Sequence, residues 1–373
     1  MSLLIEGFER LELGLCPPGG STSERPSDPL GWQFFSGDDA NLGQLTIVDS
    51  STSLGVDRGK GFQLQKVGAR TGGFLLGANV MMPDNGWTKR LVGFHMYIDP
   101  TDVPGQYTSF VPFIRPSGTL WGSYPTYMSL AYRPTDGAMY LLNYSTSTAW
   151  TMPKGKRLHV EMTWDRASGQ FQFYADSELK FTDTRDASRM NQFNNLLFTF
   201  LNANAIVGTV VIDDFYMLDD VGGDTVESLG PCKVDLALPV STSPANFTPN
   251  TSVAGNYESV GDLPINPNTY VTASEVGARD VHAFSNPLVG MPSNTIVTAV
   301  QAQTIAVAEA ARNLTIGLGV NGNFVTSAPA QVGADTTTIR TTMRRNPATG
   351  DFLTVNDLGA LKSGYEIGTT FGE

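Results

Sequence analysis

Apolar and polar residues alternate in short runs between positions 31 and 218 of the chain. In residues 157–164 every second residue is apolar, which is typical of a β-strand with one buried face. Turn sequences at 134–137 and 166–169 predict two hairpins. The strand-length runs are 61–65, 74–78, 89–98, 109–115, 127–133, 139–144, 157–164, 170–175, 195–201 and 210–218. Their regular spacing predicts an all-β sandwich of roughly a dozen strands.

The composition favours the same fold class. The 373 residues include 39 Gly and 22 Pro, and charged residues make up 16%, against about 25% in an average domain. Long helices need more Ala, Glu, Lys and Leu than this chain offers at helical spacing. The length suits two domains of ordinary size. We therefore expect a mainly β protein of two modules.

Charge and hydropathy exclude several classes of partner. The formal net charge is -12 and the isoelectric point is near 4.7, so a polyanion finds little general attraction and we expect no nucleic-acid partner. No apolar run approaches the roughly 20 residues of a membrane span, so we expect no membrane insertion. Residues 1–10 lack a positively charged leader, and we expect no secretion by the usual route.

Three segments carry a resemblance to a known family. They read Arg157-Leu-His-Val-Glu-Met-Thr-Trp-Asp-Arg166, Gly169-Gln-Phe-Gln-Phe-Tyr-Ala-Asp176 and Val211-Ile-Asp-Asp-Phe-Tyr-Met-Leu218. Together they resemble the closing half of a concanavalin A/laminin G-like jelly roll of the kind found in virion proteins of tailed bacteriophages. Residues 4–9 resemble the N-terminal strand of such domains, which pairs near the closing strand. The resemblance covers residues 1–221.

The resemblance implies a non-enzymatic virion structural protein, part of a tail tip, collar, fibre or capsid decoration. Its implied partners are other virion proteins, and its implied location is the virion, assembled in the cytoplasm of a bacterial host. A homo-oligomer, with a trimer by analogy, is also implied. The alternative is a receptor-binding protein that recognises host-surface glycans with the same fold.

Residues 222–373 predict a different kind of module. Residues 231–268 are rich in Pro, Ser, Thr and Asn and form either a linker or an extended clasp. Strand-like runs at 234–240 and 270–271 favour an ordered path along a neighbour.

Residues 293–313 fit both helical and strand periodicity. The Ala content and a cap at Ser293 or Asn294 favour a helix, whereas the resemblance favours a strand. Residues 340–368 are similar to the C-termini of phage tail and collar proteins. We expect a smaller β-domain for assembly.

Two acidic residues raise the possibility of a glycosidase. Glu161 and Asp165 are four residues apart, and retaining glycosidases need two carboxyl groups about 5–5.5 Å apart. Asp165 falls in the turn after Trp164, however, so we interpret both as solvent-facing carboxylates. No serine-hydrolase elbow or phosphate-binding loop occurs in the sequence, and we predict no catalytic residues. Besides a structural protein and a glycan-binding protein, a third possible function is a polysaccharide-degrading enzyme. Its carboxylates would be distant in sequence and come together only in the folded chain.

Aspartates crowd the end of the first module. Asp213, Asp219 and Asp220 are candidate calcium ligands because calcium prefers oxygen donors. Strand alternation would send Asp213 and Asp214 to opposite faces, so at most one of that pair could join a site. The alternative is a solvated rim of carboxylates, with no cofactor at all.

Aromatic residues mark a candidate carbohydrate site. Trp121, Tyr124 and Tyr127 lie in one segment, and Trp87 could contribute. Flat rings with neighbouring hydroxyls can stack on sugars and hydrogen-bond to them. The alternative is a packing lid or a subunit contact, because aromatic residues are enriched in both.

The two cysteines, Cys16 and Cys232, flank the first module. The two ends of a jelly roll commonly lie side by side, so a disulfide between them is sterically conceivable. A reducing cytoplasm would keep both as thiols. His95, His159 and His282 have no zinc-binding spacing, and we expect packed or surface imidazoles.

Overall fold

The computed structural model describes residues 3–6, 14–15, 32–35, 43–49, 60–66, 75–81, 86–102, 111–117, 129–133, 138–142, 149–153, 155–184, 195–201, 206–221, 223, 225–262 and 266–371. The described part of the chain is nearly all β, with many strands and two short helices. The chain divides into two compact units, Met1–Val234 and Asp235–Glu373. No helix in the described part of the chain has the length and apolar character needed to cross a membrane.

Two antiparallel sheets form the first unit. The strands are β1 (Leu3–Glu6), β2 (Gly14–Leu15), β3 (Trp32–Phe35), β4 (Gly43–Asp49), β5 (Lys60–Lys66), β6 (Leu75–Met81), β7 (Lys89–Asp102), β8 (Val111–Ser117), β9 (Ser129–Arg133), β10 (Ala138–Leu142), β11 (Ala149–Thr151), β12 (Arg157–Asp165), β13 (Gln170–Ala175), β14 (Glu178–Thr184), β15 (Asn195–Leu201) and β16 (Ile206–Asp219). Sheet A has the order β14-β13-β12-β7-β16-β5-β4-β2, with β1 beside β16. Sheet B has the order β11-β10-β9-β8-β15-β6-β3.

The two sheets pack face to face. Phe198 of β15 contacts Phe94 of β7 and Phe215 of β16 edge-on, with ring centroids 5.3 and 6.1 Å apart. Trp150 of β11 lies 5.9 Å from Phe173 of β13. These contacts join strands of opposite sheets, so the apolar alternate residues form a core between two layers.

The order of the strands is that of a jelly roll. The chain crosses between the sheets repeatedly: β3 and β6 lie in sheet B, β7 in sheet A, β8 to β11 in sheet B, β12 to β14 in sheet A, β15 in sheet B and β16 in sheet A. The hairpins β9–β10 and β12–β13 are present. Leu3 of β1 pairs with Leu218 of β16. The predicted sandwich and the position of its N-terminal strand are confirmed.

The second unit is smaller and also built of strands. Sheet C has six strands, and three further pairs of strands accompany it. Its elements are β17 (Pro239–Ala245), β18 (Thr248–Pro249), α1 (Asn256–Val260), β19 (Val271–Thr272), β20 (Arg279–Phe284), β21 (Ile296–Val297), β22 (Val300–Ala306), β23 (Arg312–Val320), β24 (Asn323–Thr326), β25 (Ala330–Val332), β26 (Thr337–Met343), β27 (Leu353–Thr354), α2 (Val355–Leu358) and β28 (Leu361–Ile367). Sheet C has the order β17-β20-β28-β23-β24, with β25 beside β23, and the other pairs are β18-β19, β21-β27 and β22-β26. The predicted smaller β-domain is confirmed.

Residues 293–313, which fitted both helix and strand, form strands. β22 pairs with β26 over its whole length, from Val300 opposite Met343 to Ala306 opposite Thr337. Ala302 and Ala306 pack against the apolar core of the unit. Pairing with β26, which lies far along the sequence, therefore makes this segment a strand. Ser293 and Asn294 do not cap a helix here.

Described parts of the segment rich in Pro, Ser and Thr, and the residues just before it, follow this chain's own sheets. Residues 225–234 are hydrogen-bonded to sheet A, and β17 pairs with β20. Strands of the same chain supply the hydrogen-bond partners of these residues, and the path along a neighbour stays a prediction. For the same reason the units divide after Val234 and not after residue 221.

Candidate functional site

Three adjacent strands of sheet A carry a polar cluster on the face turned away from the sandwich core. His159 of β12 and Asp213 of β16 are both opposite His95 of β7. One step along the strands, Glu161 and Tyr216 are both opposite Gly93. The polar cluster consists of His95, Arg157, His159, Glu161, Asp214 and Tyr216. All but Arg157, which is half-buried, are buried.

A β-bulge in β16 brings Asp214 to this face. The pairing of β16 with β7 shifts between Asp213 and Tyr216, and Asp214 has φ 52°. A bulge re-aims side chains, so the simple alternation that predicted opposite faces for Asp213 and Asp214 fails here. The Asp214 carboxylate lies 2.6 Å from Arg157 Nη2 and 2.9 Å from His95 Nδ1.

Glu161 is fully buried, with 0% of its surface exposed. One carboxylate oxygen accepts hydrogen bonds from the Tyr216 hydroxyl at 2.7 Å and the Leu229 N–H at 2.9 Å. The other accepts from the Gly230 N–H at 3.2 Å and from the Ser228 hydroxyl. The prediction of a solvent-facing carboxylate is wrong, because residues 225–234 cover it.

We call residues 225–234 the strap. Its second anchor is Asp214, which accepts the Val234 N–H at 2.8 Å. The strap therefore crosses the outer face of sheet A from the level of Gly93 to the level of His95. The two anchors of the strap, Glu161 and Asp214, are buried carboxylates, and several hydrogen-bond donors stabilise each of them.

Tyr216 links the two halves of the polar cluster. Its hydroxyl donates to Glu161 and lies 2.9 Å from His159 Nε2, so the hydrogen-bond pattern assigns the proton of neutral His159 to Nε2. The Cys232 thiol also hydrogen-bonds to this hydroxyl. Burial, followed by the charges of Cys232 and Glu161, raises the pKa of Tyr216 far above its usual value.

His159 is neutral at physiological pH. Burial, followed by the charge on His95, lowers the pKa of His159 from 6.5 to about 3. A neutral imidazole, a phenol and a carboxylate with four donors form a closed network, so this cluster acts as a clasp for the strap.

A second clasp occurs in the second unit. Asp280 is 0% exposed and accepts the N–H groups of Asn246 at 2.7 Å and Phe247 at 3.0 Å. Its other oxygen accepts from Asn256 Nδ2 at 2.6 Å and the Tyr365 hydroxyl at 3.4 Å. His282 Nε2 lies 3.3 Å from that hydroxyl, and burial lowers the pKa of His282. Both units thus use a His, a Tyr and a carboxylate to hold an extended segment.

The carboxylates considered for glycoside hydrolysis have separate partners. Asp165 lies opposite Lys89, whereas Glu161 lies opposite Gly93. Asp165 accepts the N–H groups of Ala167 and Ser168 at 2.9 and 3.1 Å. Burial raises its pKa, but these hydrogen bonds and Lys89 outweigh burial and leave the pKa lowered. Asp165 therefore shapes the turn between β12 and β13.

The three candidate calcium ligands also have separate partners. Asp213 accepts the N–H of Asp214 at 2.6 Å, Asp219 lies 3.6 Å from Arg90 Nη2, and Asp220 accepts the Thr88 N–H at 2.8 Å. Within the described ranges, no group of three or more His, Cys, Asp or Glu side chains has an arrangement that could hold a metal ion. The calcium hypothesis finds no site there.

Trp87 is a packing residue. It is 2% exposed, and the guanidinium groups of Arg166 and Arg90 lie over its ring at 3.8 and 4.4 Å. Arg166 Nη1 also donates to the Trp87 carbonyl at 3.2 Å. A sugar could not stack on this ring without displacing its neighbours.

The other aromatic candidates, Trp121, Tyr124 and Tyr127, lie outside the described residues. So does Cys16, and the disulfide between Cys16 and Cys232 stays a prediction. Cys232 itself is half-buried. His95, His159 and His282 are packed imidazoles, as predicted.

Two described strands of sheet B finish at the same end of the sheet. Ser117, the last residue of β8, pairs with Asn195 of β15, which pairs with Met81, the last residue of β6. The chain leaves β6 at Met81 on its way to Trp87 and leaves β8 at Ser117 on its way to Trp121. Both connections therefore depart from the same end of sheet B, which we call the aromatic end.

Comparison with known proteins yields similar structures only. No protein-family model and no curated protein matches the sequence. A sialidase is similar over 55% of this chain and 18% of its own, with 13% identity and a TM-score of 0.37. Arcelin-5, a lectin-like defence protein from Phaseolus vulgaris, is similar over 50% of this chain and 98% of its own, with 11% identity and a TM-score of 0.32.

A third similar structure is the catalytic domain of a glycoside hydrolase family 131 protein from Coprinopsis cinerea. It covers 55% of this chain and 86% of its own, with 10% identity and a TM-score of 0.34. The similar structures thus include lectins and glycan-acting enzymes. Because the scores are low, the fold assignment rests on the strand order and sheet packing described above.

Proposed function

We propose that this chain is a non-enzymatic protein that recognises glycans with the aromatic end of its N-terminal sandwich. The observation that carries the proposal is that β6 and β8 finish at the same end of sheet B, at Met81 and at Ser117, which both pair with Asn195. The connection that follows β8 contains Trp121, Tyr124 and Tyr127, whose rings and hydroxyls suit stacking on a sugar and hydrogen bonding to it.

The residues that follow the connection from β6 are held by hydrogen bonds. The Arg166 N–H donates to the Thr88 carbonyl at 2.8 Å, and the Thr88 N–H donates to Asp220. Trp87 is fixed between the same two segments by Arg166. A preorganised support lowers the entropy cost of binding. Trp87 therefore supports the site without touching the ligand.

The contacts of Glu161 and Asp165 support the proposal that the protein is not an enzyme. A hydrolase needs carboxyl groups that reach the substrate. Glu161 is sealed beneath the strap and saturated by four donors. Asp165 is engaged in its own turn. Each of these carboxylates stabilises a local structure.

The biological setting we propose is the virion of a tailed bacteriophage, with a host-surface glycan as ligand. The support for this setting is the sequence resemblance of residues 157–166, 169–176 and 211–218 to phage jelly-roll proteins. In that setting the chain would bind other virion proteins and form an oligomer. A purely architectural role is the competing reading, and it predicts no glycan ligand.

A bacterial polysaccharide array tests the proposal. The parent chain should bind at least one surface glycan, and Trp121→Ala together with Tyr124→Ala should abolish that binding. Phe352→Ala, which removes a ring that is 44% exposed in the second unit, is the matched control and should bind normally. Mass spectrometry of the bound glycan should show intact chains. No binding by the parent, or equal binding by all variants, would reject the proposal, and cleaved glycan would indicate an enzyme.

A further inference from the structure

A long uncharged segment contributes to the surface of the second unit. Residues 283–308 contain no Asp, Glu, Lys or Arg, although 16% of the chain is charged. In the first half of this segment Val289, Met291 and Ile296 are exposed, Val289 by 85% and Ile296 by 63%. Large apolar side chains that gather on an uncharged surface are typical of an interaction site.

The exposed side chains stand on an anchored turn. Leu288 and Val297 pack against an apolar core cluster of the second unit. The Val355 N–H donates to the Thr295 carbonyl at 3.0 Å and ties the turn to the end of β27. Because successive residues of a strand point to opposite faces, Ile296 points away from the core that Val297 contacts. The apolar surface is therefore a fixed feature of the folded unit.

Phe352 and Arg345 extend this surface. Ile296 pairs with Thr354, and Phe352, two residues before Thr354, lies on the same face. Arg345 bridges to Phe352, and its guanidinium group lies 4.3 Å from the centre of the exposed Phe352 ring. Aromatic residues, Met and Arg are enriched in protein interfaces, whereas Lys, Glu and Asp are depleted. We call Val289, Met291, Ile296, Arg345 and Phe352 the apolar patch.

One charge of each sign lies beside the apolar patch. Arg345 and Asp351 are both exposed and flank the same turn. Arg345 Nη1 donates to the Gly350 carbonyl at 3.0 Å, and in the described part of the chain neither Arg345 nor Asp351 forms a salt bridge. A surface with one unpaired cation and one unpaired carboxylate is complementary to itself. When two copies meet about a twofold axis, the Arg345 of each can face the Asp351 of the other.

We propose that the apolar patch is the contact through which two copies of this chain form a dimer. The net charge of -12 makes two copies repel each other at long range. An uncharged apolar surface allows close approach at the least electrostatic cost, and the two pairs of Arg345 with Asp351 select the orientation. The proposal does not rest on glycan recognition, because each copy keeps its own aromatic end.

Charge exchange between Arg345 and Asp351 tests the contact. Sedimentation velocity over a range of concentrations should show that the parent chain forms dimers. Arg345→Glu and Asp351→Arg each place like charges opposite one another, so each variant alone should dimerise at least about tenfold more weakly. An equimolar mixture of the two variants should form heterodimers as readily as the parent forms dimers, because both contacts of the mixed pair then join opposite charges.

Arg312→Glu and Asp335→Arg are the matched controls. Both positions are exposed in the same unit, and the substitutions change the net charge by the same amounts. Each control, and the mixture of the two, should dimerise like the parent. A parent that stays monomeric up to its solubility limit would overturn the proposal. Equal dimerisation of patch variants and controls, or a mixture of patch variants that associates no better than its members, would also overturn it.

A substitution within the apolar patch provides an independent measurement. Ile296→Asp would bury an unpaired charge in the contact, so its dimers should fall below detection. Val276→Asp changes an apolar residue that is 74% exposed in the turn before β20, and this control should dimerise like the parent. Both variants should keep the circular dichroism spectrum of the parent, because both side chains are exposed in the single chain. Equal dimerisation of the two variants would contradict the proposal.

Discussion

Tyr216 lies flat against the backbone of Gly93 on the neighbouring strand. A Cβ atom at position 93 would come within 2.1 Å of the Tyr216 ring. The absence of a side chain at Gly93 is therefore what allows the Tyr216 hydroxyl to reach both Glu161 and His159. The clasp beneath the strap depends on this contact.

Gly93→Ala should displace the Tyr216 ring and weaken the clasp. Overpacking and a lost hydrogen bond together should cost about 2–4 kcal/mol of the free energy of unfolding of the first unit. Urea unfolding followed by tryptophan fluorescence measures this cost. Gly333→Ala is the control, because a Cβ atom there has no neighbour within 4 Å. Equal stability of the two variants would contradict the described contact.

Glu161→Gln should loosen the strap while leaving the sandwich folded. The glutamine amide group cannot accept the hydrogen bonds that the second carboxylate oxygen receives, and hydrogen bonds to a charged acceptor are worth about 1.5–3 kcal/mol. Hydrogen exchange at the amides of Leu229 and Gly230 should accelerate strongly. Glu178→Gln, whose side chain is 75% exposed, should leave both amides as protected as in the parent. Unchanged protection in Glu161→Gln would show that the strap is held by other contacts.

Asp280→Asn tests the clasp of the second unit in the same way. Asn246 and Phe247 should lose amide protection, because the carboxylate that accepts both N–H groups loses its charge. Leu229 and Gly230 in the first unit should be unaffected. Asp335→Asn, at an exposed position, is the matched control. Similar effects of both substitutions would argue against a specific role for Asp280.

The stability of the first unit should fall in acid because of His159. Its pKa is lowered from 6.5 to about 3 in the folded state, so between these values the unfolded chain binds a proton that the folded chain does not. The stabilising contribution of the neutral imidazole is complete above pH 6.5 and is lost as the pH falls toward 3. The loss is about 1.4 kcal/mol for each pH unit in that window.

His159→Asn removes this titration and provides the comparison. The variant should be less stable than the parent at neutral pH, and the difference should narrow as the pH is lowered. Urea unfolding at a series of pH values measures the difference. A parallel pH dependence in parent and variant would show that His159 does not titrate in this way.

The sequence predicted the features that depend on local pattern. Alternation in 157–164 marked a strand with two different faces, and the turn at 166–169 marked the hairpin that the structure contains. The alternation could not show that another segment covers the polar face of this strand. Glu161 is buried by residues some 70 positions later in the chain, and no local pattern reports such a contact.

The misplaced site residues have similar causes. Asp213 and Asp214 were assigned to opposite faces, but the bulge between Asp213 and Tyr216 changes the direction of the chain. The aromatic ring of Trp87 makes it a ligand candidate, but the nearby Arg90 and the distant Arg166 cover that ring. The sequence signal that could have found the clasp is the pairing of polar residues at alternate positions, His159 with Glu161 and Asp280 with His282, on strands whose other face is apolar.

A crystal structure of the full chain with the glycan that binds best on the array tests glycan recognition at the aromatic end. We predict an intact sugar held by Trp121 and its neighbours at the aromatic end, beside the strand ends Met81 and Ser117, with Glu161 still covered by the strap. A sugar bound on the outer face of sheet A in place of the strap, or a cleaved product beside Glu161, would contradict the account.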